Sequence, residues 1–256
     1  MSLALTTRDG VAVLTIDRQD ALNALNFGLI AELSRLLDTV PGMGVRALLI
    51  TGAGDKAFCA GADIKELMDR GLMAQRRGAE AGQRAFARIA DLEIPSVALI
   101  NGYAFGGGLE MALACSFRLA VPTAKMGLPE IKLGLIPGYG GTQRLPRLVG
   151  EGRALEMIMT GRTVDAAEAE RIGLVNRVLA GDAPMAEALA FLGEMTCYGL
   201  PALALAKQAV SRALDLPVHE GLKVEADLST LAYRTEDAAE GLAAFVEKRK
   251  PSFRDR

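Results

Sequence analysis

The residues best suited to chemistry lie between positions 101 and 141, where glycines frame two glutamates. Glu110 follows the run Gly106-Gly107-Gly108, and Glu130 precedes the run Pro137-Gly138-Tyr139-Gly140-Gly141. Two carboxyl groups that share a poorly solvated pocket titrate as a pair, so one can hold a proton while the other accepts one. A lone glutamate after glycines is more often an exposed helix residue. The presence of a second glutamate in a similar glycine-rich context favours a catalytic interpretation of both.

The glycine run before Glu110 is expected to join a buried strand to a buried helix. Residues 96–100 are apolar and partly β-branched, and residues 109–115 have the composition of a buried helix. Gly107 should then lie at the helix N-terminus, where unpaired N–H groups and the helix dipole favour an anion or a developing oxyanion. Glu110, one turn further on, should point into the same space.

The composition is that of an ordinary globular protein. The 256 residues are 50% hydrophobic and include 28 glycines, with a mean hydropathy of +0.23, so the chain can bury a large core. The 29 basic and 31 acidic residues leave a net charge of -2, which indicates neither nucleic acid nor an anionic membrane as partner. The sequence shows neither an apolar run of membrane-span length nor a signal-peptide pattern, and we therefore expect a cytoplasmic enzyme.

Few side chains suit metal or nucleophilic chemistry. Cys59, Cys115 and Cys197 are far apart and odd in number, which argues against disulfides and against a metal site. His219 is the single histidine and the chain has no G-x-S-x-G motif, so serine–histidine catalysis is poorly supported. Cys59 lacks a partner base and is interpreted as a small buried hydrophobe, and no metal is expected.

Local patterns predict an α/β core followed by helices. The predicted elements are a hairpin over 3–7 and 11–16, a helix over 27–40 with Asn26 as N-cap, strands over 47–51 and 174–179, helices over 83–92, 151–160 and 165–172, and only helices from 184 onward. Gly71, Gly78 and Gly82 are expected to break any long helix between residues 67 and 82. The predicted organisation is a core over 1–194 that carries the site and a helical region over 195–256.

Three motifs together resemble one family. They are Ala57-Phe58-Cys59-Ala60-Gly61-Ala62-Asp63-Ile64-Lys65, the glycine run ending at Glu110, and residues 127–144 with Glu130 and Gly140-Gly141-Thr142-Gln143-Arg144. Over nearly its whole length the chain resembles the enoyl-CoA hydratases of the crotonase superfamily. The resemblance implies an α/β fold, namely a crotonase-like spiral of repeated ββα units with a helical C-terminal oligomerisation region that forms trimers or hexamers.

The resemblance also implies the reaction and its residues. The expected activity is the reversible hydration of trans-2-enoyl-CoA to 3-hydroxyacyl-CoA in fatty-acid or related acyl-CoA catabolism. The oxyanion hole falls on the backbone N–H groups of Ala62 and Gly107, which bind the thioester carbonyl. Glu110 is expected to activate the attacking water and Glu130 to protonate Cα. Gly138 is expected to help aim Glu130 or its water.

Coenzyme A is expected as part of the substrate, with no separate cofactor. The resemblance assigns six residues to its binding: Ala24, Lys56, Ala60, Asp63, Ile64 and Lys65. Of these, Ala60 and Lys65 should border the adenine end and Lys56 should meet a phosphate. The expected partner is another copy of this chain, because the helices of residues 195–256 carry apolar residues on more than one face.

Several alternatives stay open on the sequence alone. Within the superfamily, an acyl-CoA isomerase or a dehydratase shares the oxyanion hole. Gly52-Ala53-Gly54-Asp55-Lys56-Ala57 fits the G-x-G-x-x-A fingerprint of a dinucleotide-dependent oxidoreductase, although that motif needs a helix to begin at once. A noncatalytic RNA-binding member is disfavoured by the two glutamates and the weak charge. Acyl chain length, branching, product stereochemistry, pathway and the roles of Tyr139 and residues 67–82 are not determined by these patterns.

Overall fold

The computed structural model describes residues 2–256, which divide into two compact units. The first comprises the residues up to Leu92 together with Ser96–Leu189, and the second comprises Glu93–Pro95 and Ala190–Arg256. The strands are β1 Leu3–Arg8, β2 Val11–Ile16, β3 Ala47–Gly52, β4 Ala57–Cys59, β5 Ser96–Ile100, β6 Tyr103–Phe105, β7 Phe117–Ala120, β8 Lys125–Gly127, β9 Val164–Asp165 and β10 Arg177–Val178. The helices are α1 Phe27–Thr39, α2 Ile64–Leu67, α3 Leu72–Asp91, α4 Gly107–Ala114, α5 Gly141–Val149, α6 Glu151–Thr160, α7 Ala166–Arg171, α8 Pro184–Thr196, α9 Leu200–Arg212, α10 Val218–Ala232 and α11 Glu236–Glu247.

The first unit repeats one pattern, in which a strand of a large sheet is followed by a strand of a small sheet and then by helix. The large sheet has the order β1-β2-β3-β5-β7-β10, and the small one has the order β4-β6-β8-β9. Strands β3, β5 and β7 are parallel neighbours in the large sheet, and β4, β6 and β8 are parallel neighbours in the small sheet. This alternation is the predicted spiral of repeated ββα units.

The core of the large sheet follows from its sequence. Every residue of β3 and of β5 is buried, as is usual for parallel strands that are covered on both faces. The predicted hairpin is confirmed, since β1 and β2 pair antiparallel in register from Leu3 opposite Ile16 to Arg8 opposite Val11. The predicted first helix is confirmed too: Asn26 accepts a hydrogen bond from the Leu29 N–H and caps α1.

Helix α3 corrects one prediction, because it runs unbroken from Leu72 to Asp91 through Gly78 and Gly82. A glycine inside a helix costs about 1 kcal/mol relative to alanine. Here each glycine makes room for an aromatic ring, since a Cβ at Gly78 would lie 2.6 Å from the Phe27 ring and a Cβ at Gly82 would overlap the Tyr139 ring. The packing of two rings against the helix offsets the glycine penalty.

The dinucleotide fingerprint at residues 52–57 does not have the context that it requires. Its last residue begins β4, a strand of the small sheet, and no helix opens there. The strand predicted over residues 174–179 is shorter than expected and forms only at Arg177–Val178, which pairs with Leu119 and Ala120.

The second unit consists mainly of helices, as predicted. The C-terminal chain is fixed by Asp237, whose carboxylate accepts hydrogen bonds from the N–H groups of Arg254 and Asp255 at 2.6 and 2.9 Å. Asp255 in turn accepts from the N–H of Leu200 at the start of α9. Across residues 2–256, no single helix is long and apolar enough to cross a membrane, and α8 with α9 pass that test only as a bent pair.

Candidate active site

The glycines before Glu110 allow β4 and α4 to approach closely. A Cβ at Gly108 would overlap the carbonyl oxygen of Cys59. Any larger residue at position 108 would therefore push the backbone of α4 away from that of β4. Gly106 has φ +48° and ψ -126°, a conformation that only glycine adopts readily, and it directs the chain into α4. As predicted, Gly107 is the first residue of that helix, and all residues of α4 are buried.

Two backbone N–H groups are left unpaired where β4 and β6 end. Within residues 2–256, neither the Ala62 N–H nor the Gly107 N–H donates a hydrogen bond to another protein group. A Cβ at Gly61 would lie 3.8 Å from the Gly107 nitrogen, so the two segments that carry these donors lie side by side. Two N–H donors that lie side by side suit a carbonyl oxygen that gains negative charge, which is the role that the family resemblance implies for them.

Glu110 is almost completely buried, with 1% of its surface exposed. Its Oε1 atom accepts hydrogen bonds from the N–H groups of Tyr139 and Gly141 at 2.8 and 2.7 Å. Burial raises the pKa of Glu110, and these two donors together with the nearby Arg144 charge oppose that rise. The carboxylate therefore has a fixed orientation and specific support for its ionised form.

Glu130 lies in a short 3-10 helix, Pro129–Leu133, and has a different environment. Its Oε2 atom is buried and has no hydrogen-bond partner among the described residues. Burial and then the charge of Glu110 raise the pKa of Glu130 to about 7, and only its own backbone N–H opposes the rise. A carboxyl group with this pKa can hold a proton at neutral pH and release it to a substrate.

Both glutamates and both N–H donors line one cavity of about 760 Å³. Its walls are mostly apolar and include Phe27 from α1, Leu72 from α3, and a segment after the 3-10 helix with Leu135 and Ile136. Tyr139 closes one side, where its ring contacts Phe86 edge-on with centroids 5.7 Å apart. A pocket of this kind can take an apolar group and bring one polar function to the donors.

The residues predicted to bind coenzyme A divide into two groups. Ala60 and Ile64 line the cavity together with Gly138, whereas Ala24, Lys56, Asp63 and Lys65 do not. Lys56 and Lys65 are exposed. The Ala24 carbonyl and the Asp63 carboxylate both accept hydrogen bonds from Arg18.

The groups that hold Glu110 were missed by reasoning from sequence. Tyr139 and Gly141 donate through the backbone, so their side chains gave no signal. Arg144 donates from Nη1 to the carbonyl of Tyr139 at 3.1 Å and supports the same turn. Burial lowers the pKa of Arg144, which packs against Gly140, a residue at φ +118°. The Gly-Gly-Thr-Gln-Arg run was the available sign that this turn and this arginine act together.

Cys59 lies close to the Gly107 segment, but its thiol is unreactive. It is fully buried, and burial raises the pKa of its thiol to about 12. The thiol therefore stays protonated, as expected for a small buried hydrophobe. No group of three or more potential metal ligands occurs in residues 2–256.

The match to a known family covers almost the whole chain: residues 6–256 match the family described as enoyl-CoA hydratase/isomerase. The chain belongs to the enoyl-CoA hydratase/isomerase family. This family member is 43% identical over 259 residues to a probable enoyl-CoA hydratase of Rhizobium meliloti (strain 1021), covering 100% of this chain and 98% of the relative. It is 41% identical over 253 residues to a crotonyl-CoA hydratase of Syntrophomonas wolfei, covering 98% and 97%.

The fold of this family member is also found among solved structures. The crystal structure of an enoyl-CoA hydratase from Bacillus anthracis superposes with a TM-score of 0.95 at 38% identity, covering 100% of both chains. The predicted crotonase-superfamily fold is thereby confirmed.

Proposed function

We propose that this protein catalyses the reversible hydration of trans-2-enoyl-CoA to 3-hydroxyacyl-CoA. The observation that carries the proposal is that two unpaired backbone N–H groups, of Ala62 and Gly107, line the same cavity as two carboxyl groups, of Glu110 and Glu130. The donors suit a thioester carbonyl, and the carboxyl groups suit the addition of water to the neighbouring double bond. The names of the relatives, which include crotonyl-CoA hydratase, support the same reaction.

The donors act on charge that appears during the reaction. Attack of water at Cβ turns the thioester into an enolate, and its oxygen then accepts from the Ala62 and Gly107 N–H groups more strongly than the ground-state carbonyl does. One such donor is worth about 2.7–4 kcal/mol in comparable sites. The side chain of Ala62 is not needed for this interaction, and Gly107 has none.

The different environments of the glutamates assign their roles. Glu110 is the base, because two N–H donors hold one of its oxygens in place and oppose the rise that burial gives its pKa. Glu130 is the acid, because its pKa of about 7 keeps a proton available for Cα. Each role is worth roughly 10²–10⁴-fold in rate. One proton is shared by the pair throughout, and in the reverse direction the roles exchange.

Coenzyme A enters as part of the substrate. Ala60 and Ile64 line the cavity on the side of the Ala62 segment. Lys56 and Lys65 lie in the flanking sequence and are exposed, so their charges are available to the phosphates of coenzyme A. The acyl group extends along the apolar wall. We assign no separate cofactor and no metal to this reaction.

The second unit is proposed to bind further copies of this chain in a trimer or a hexamer of two trimers. Several of its large apolar side chains are exposed, namely Tyr198, Val210, Leu214, Val218, Leu222, Leu231, Tyr233, Leu242, Phe245 and Val246. Many exposed large apolar side chains in one region are typical of protein interfaces, and closed cyclic symmetry is usual for such assemblies. We also propose a cytoplasmic location and a place in fatty-acid or related acyl-CoA catabolism, in keeping with three free cysteines.

An acyl-CoA isomerase is the second candidate, because it uses the same carbonyl site. Isomerisation moves a proton between two carbons and needs no activated water, so it needs only one carboxyl group. The presence of Glu110 and Glu130 on one cavity favours hydration.

A direct assay separates these activities. Hydration removes the ultraviolet absorbance of the conjugated enoyl thioester in crotonyl-CoA, whereas isomerisation of a 3-enoyl-CoA creates it. We expect loss of absorbance and formation of 3-hydroxybutyryl-CoA, followed by a profile over enoyl chains of C4 to C16. A protein that isomerises 3-enoyl-CoA but leaves crotonyl-CoA unchanged contradicts the proposal.

A further inference from the structure

Arg18 makes two side-chain hydrogen bonds that join separate parts of the first unit. Its Nη1 donates to the Ala24 carbonyl at 2.8 Å, and its Nη2 donates to Oδ2 of Asp63 at 3.3 Å. Only 19% of the Arg18 side chain and 24% of the Asp63 side chain are exposed. A charge-assisted bond in this setting is stronger than a surface ion pair, because solvent screens it less.

The segment held in this way carries the Ala62 N–H. The Leu25 N–H donates to the Gly61 carbonyl at 2.7 Å, and the Asp63 N–H donates to the Leu25 carbonyl at 2.7 Å. In such a parallel bridge the middle residue directs its own N–H away from the partner strand. Ala62 is the middle residue, so the position of Leu25 sets the direction of its N–H.

Arg18 is itself anchored to the neighbouring strands. Its backbone N–H donates to Oδ1 of Asn23 at 2.9 Å, and Nδ2 of Asn23 donates to the carbonyls of Ala53 and Ala57 at 3.0 and 2.7 Å. Asn23 is 1% exposed and has φ +59°, so the packed loop holds it in an uncommon conformation. The arginine therefore links this hydrogen-bonded loop to the segment that carries Ala62.

We propose that Arg18 is a positioning residue for the oxyanion donor Ala62, acting through Ala24 and the carboxylate of Asp63. Because Ala62 is an oxyanion donor only under the proposed function, this inference rests on that function. Both oxygens of Asp63 already have protein partners, since Oδ1 accepts from the Lys65 N–H at 3.3 Å. The Asp63 side chain is thus assigned to positioning, in place of the coenzyme A contact predicted from the sequence.

The test uses substitutions that remove the link in different ways. Arg18→Met removes both donors and keeps a long apolar stem, whereas Arg18→Lys keeps the charge but not the two-pronged geometry. Asp63→Asn removes the negative charge and retains an acceptor for the Lys65 N–H. The matched control is Arg88→Met. Arg88 forms an exposed ion pair with Asp38, with 2.7 Å between Nε and Oδ1, and it does not line the cavity.

Two readouts separate positioning from a general loss of structure. One is kcat and KM with crotonyl-CoA. The other is the near-ultraviolet absorbance of bound acetoacetyl-CoA, whose enolate form grows when an oxyanion hole stabilises it. This second readout requires no addition of water, so it reports on enolate stabilisation separately from hydration, and Glu110 and Glu130 are unchanged in every variant compared.

We expect Arg18→Met to lower kcat about 10–100-fold, to leave KM within about three-fold, and to lower the bound enolate-to-keto ratio by a similar factor. Asp63→Asn should behave alike, Arg18→Lys should recover only part of the loss, and the double variant Arg18→Met with Asp63→Asn should lose little more than Arg18→Met. The control should retain kcat and the enolate signal.

A kcat within two-fold of wild type in both Arg18→Met and Asp63→Asn overturns the proposal, as does a lower kcat with an unchanged enolate signal. If Arg18→Met does not fold, Arg18→Lys and Asp63→Asn decide by the same readouts. A wild-type protein that forms the enolate yet does not hydrate crotonyl-CoA contradicts the proposed function, and the enolate comparison then still decides on Arg18.

Discussion

The Oε1 atom of Glu110 lies 2.8 Å from the backbone nitrogen of Tyr139, 29 positions later in the chain. This bond and its neighbour from Gly141 occupy one carboxylate oxygen and favour the ionised form. Glu130, on the same cavity, has a buried oxygen with no partner among the described residues. The two glutamates are therefore not equivalent, and substitution should distinguish them.

Glu130→Gln should lower the kcat for hydration of crotonyl-CoA about 10²–10⁴-fold, because the amide keeps the shape of the side chain but cannot donate an acidic proton. Binding of a coenzyme A ester should be retained, since Glu130 contributes to proton transfer rather than to the carbonyl contact. Steady-state kinetics with calorimetric titration of butyryl-CoA measure both quantities. Turnover within a few-fold of wild type would remove Glu130 from the mechanism.

Glu110→Gln should lower kcat by a factor similar to that of Glu130→Gln, and the double variant should lose little more than either. Groups that act on one water and one shared proton form a unit, and their losses are strongly non-additive. Kinetic measurements on the two single variants and the double variant give the coupling. Losses that multiply would show that the two glutamates act independently.

The pH dependence of activity should reflect the proton on Glu130. Burial and then the Glu110 charge raise the pKa of Glu130 to about 7, so its acid form dominates below that pH and is lost above it. Hydration kcat/KM should therefore fall as pH rises through about 7. The kcat/KM for dehydration should fall over the same pH range, because Glu110 and Glu130 together must hold one proton in either direction. The residual activity of Glu130→Gln should not fall in this pH range. A fall that persists in that variant would show that another group titrates there.

Gly82→Ala should displace the Tyr139 ring, whose space a Cβ at position 82 would occupy. Overpacking of this kind costs about 1–3 kcal/mol of stability. Since the Tyr139 backbone holds Glu110, we also expect kcat to fall about ten-fold or more. Gly152→Ala in α6 is the control, because its Cβ would meet no atom within 4 Å. Urea unfolding and kinetics test both variants, and a Gly82→Ala protein as stable and active as the control contradicts this packing role.

The assembly should be a trimer or hexamer that depends on the exposed apolar residues of the second unit. Phe245 and Val246 are 84% and 80% exposed in one chain. The proposed assembly buries them between chains, where a charge is unfavourable. Val246→Glu should therefore yield smaller species by light scattering, and truncation after Met195 should give insoluble or inactive protein. A fully active wild-type monomer would leave these apolar faces unexplained and would defeat the prediction.

Short-range patterns were sufficient to predict most elements of this protein. The apolar run of β5 and the glycines before α4 determine a strand, a tight turn and a buried helix within about 20 residues, because each choice depends on local dihedral freedom and periodicity. The N-cap at Asn26 is local in the same sense. The motifs that resemble the family are also contiguous stretches, so the residue types and their order were enough to predict Ala62 and Gly107 as oxyanion donors and both glutamates as catalytic residues.

Tertiary structure alone decided the interactions that span long sequence separations. Helix α3 continues through Gly82 because the Tyr139 ring fills the space beside it. A prediction from the local sequence treats glycine only as a helix breaker and does not include this distant contact. Arg18 contacts Asp63 45 positions later, and Glu110 contacts the backbone of Gly141 31 positions later, because the tertiary fold brings these segments together. The residue types on either side of these contacts do not show that they will meet, because the energy of each contact depends on a distance that only the folded chain creates.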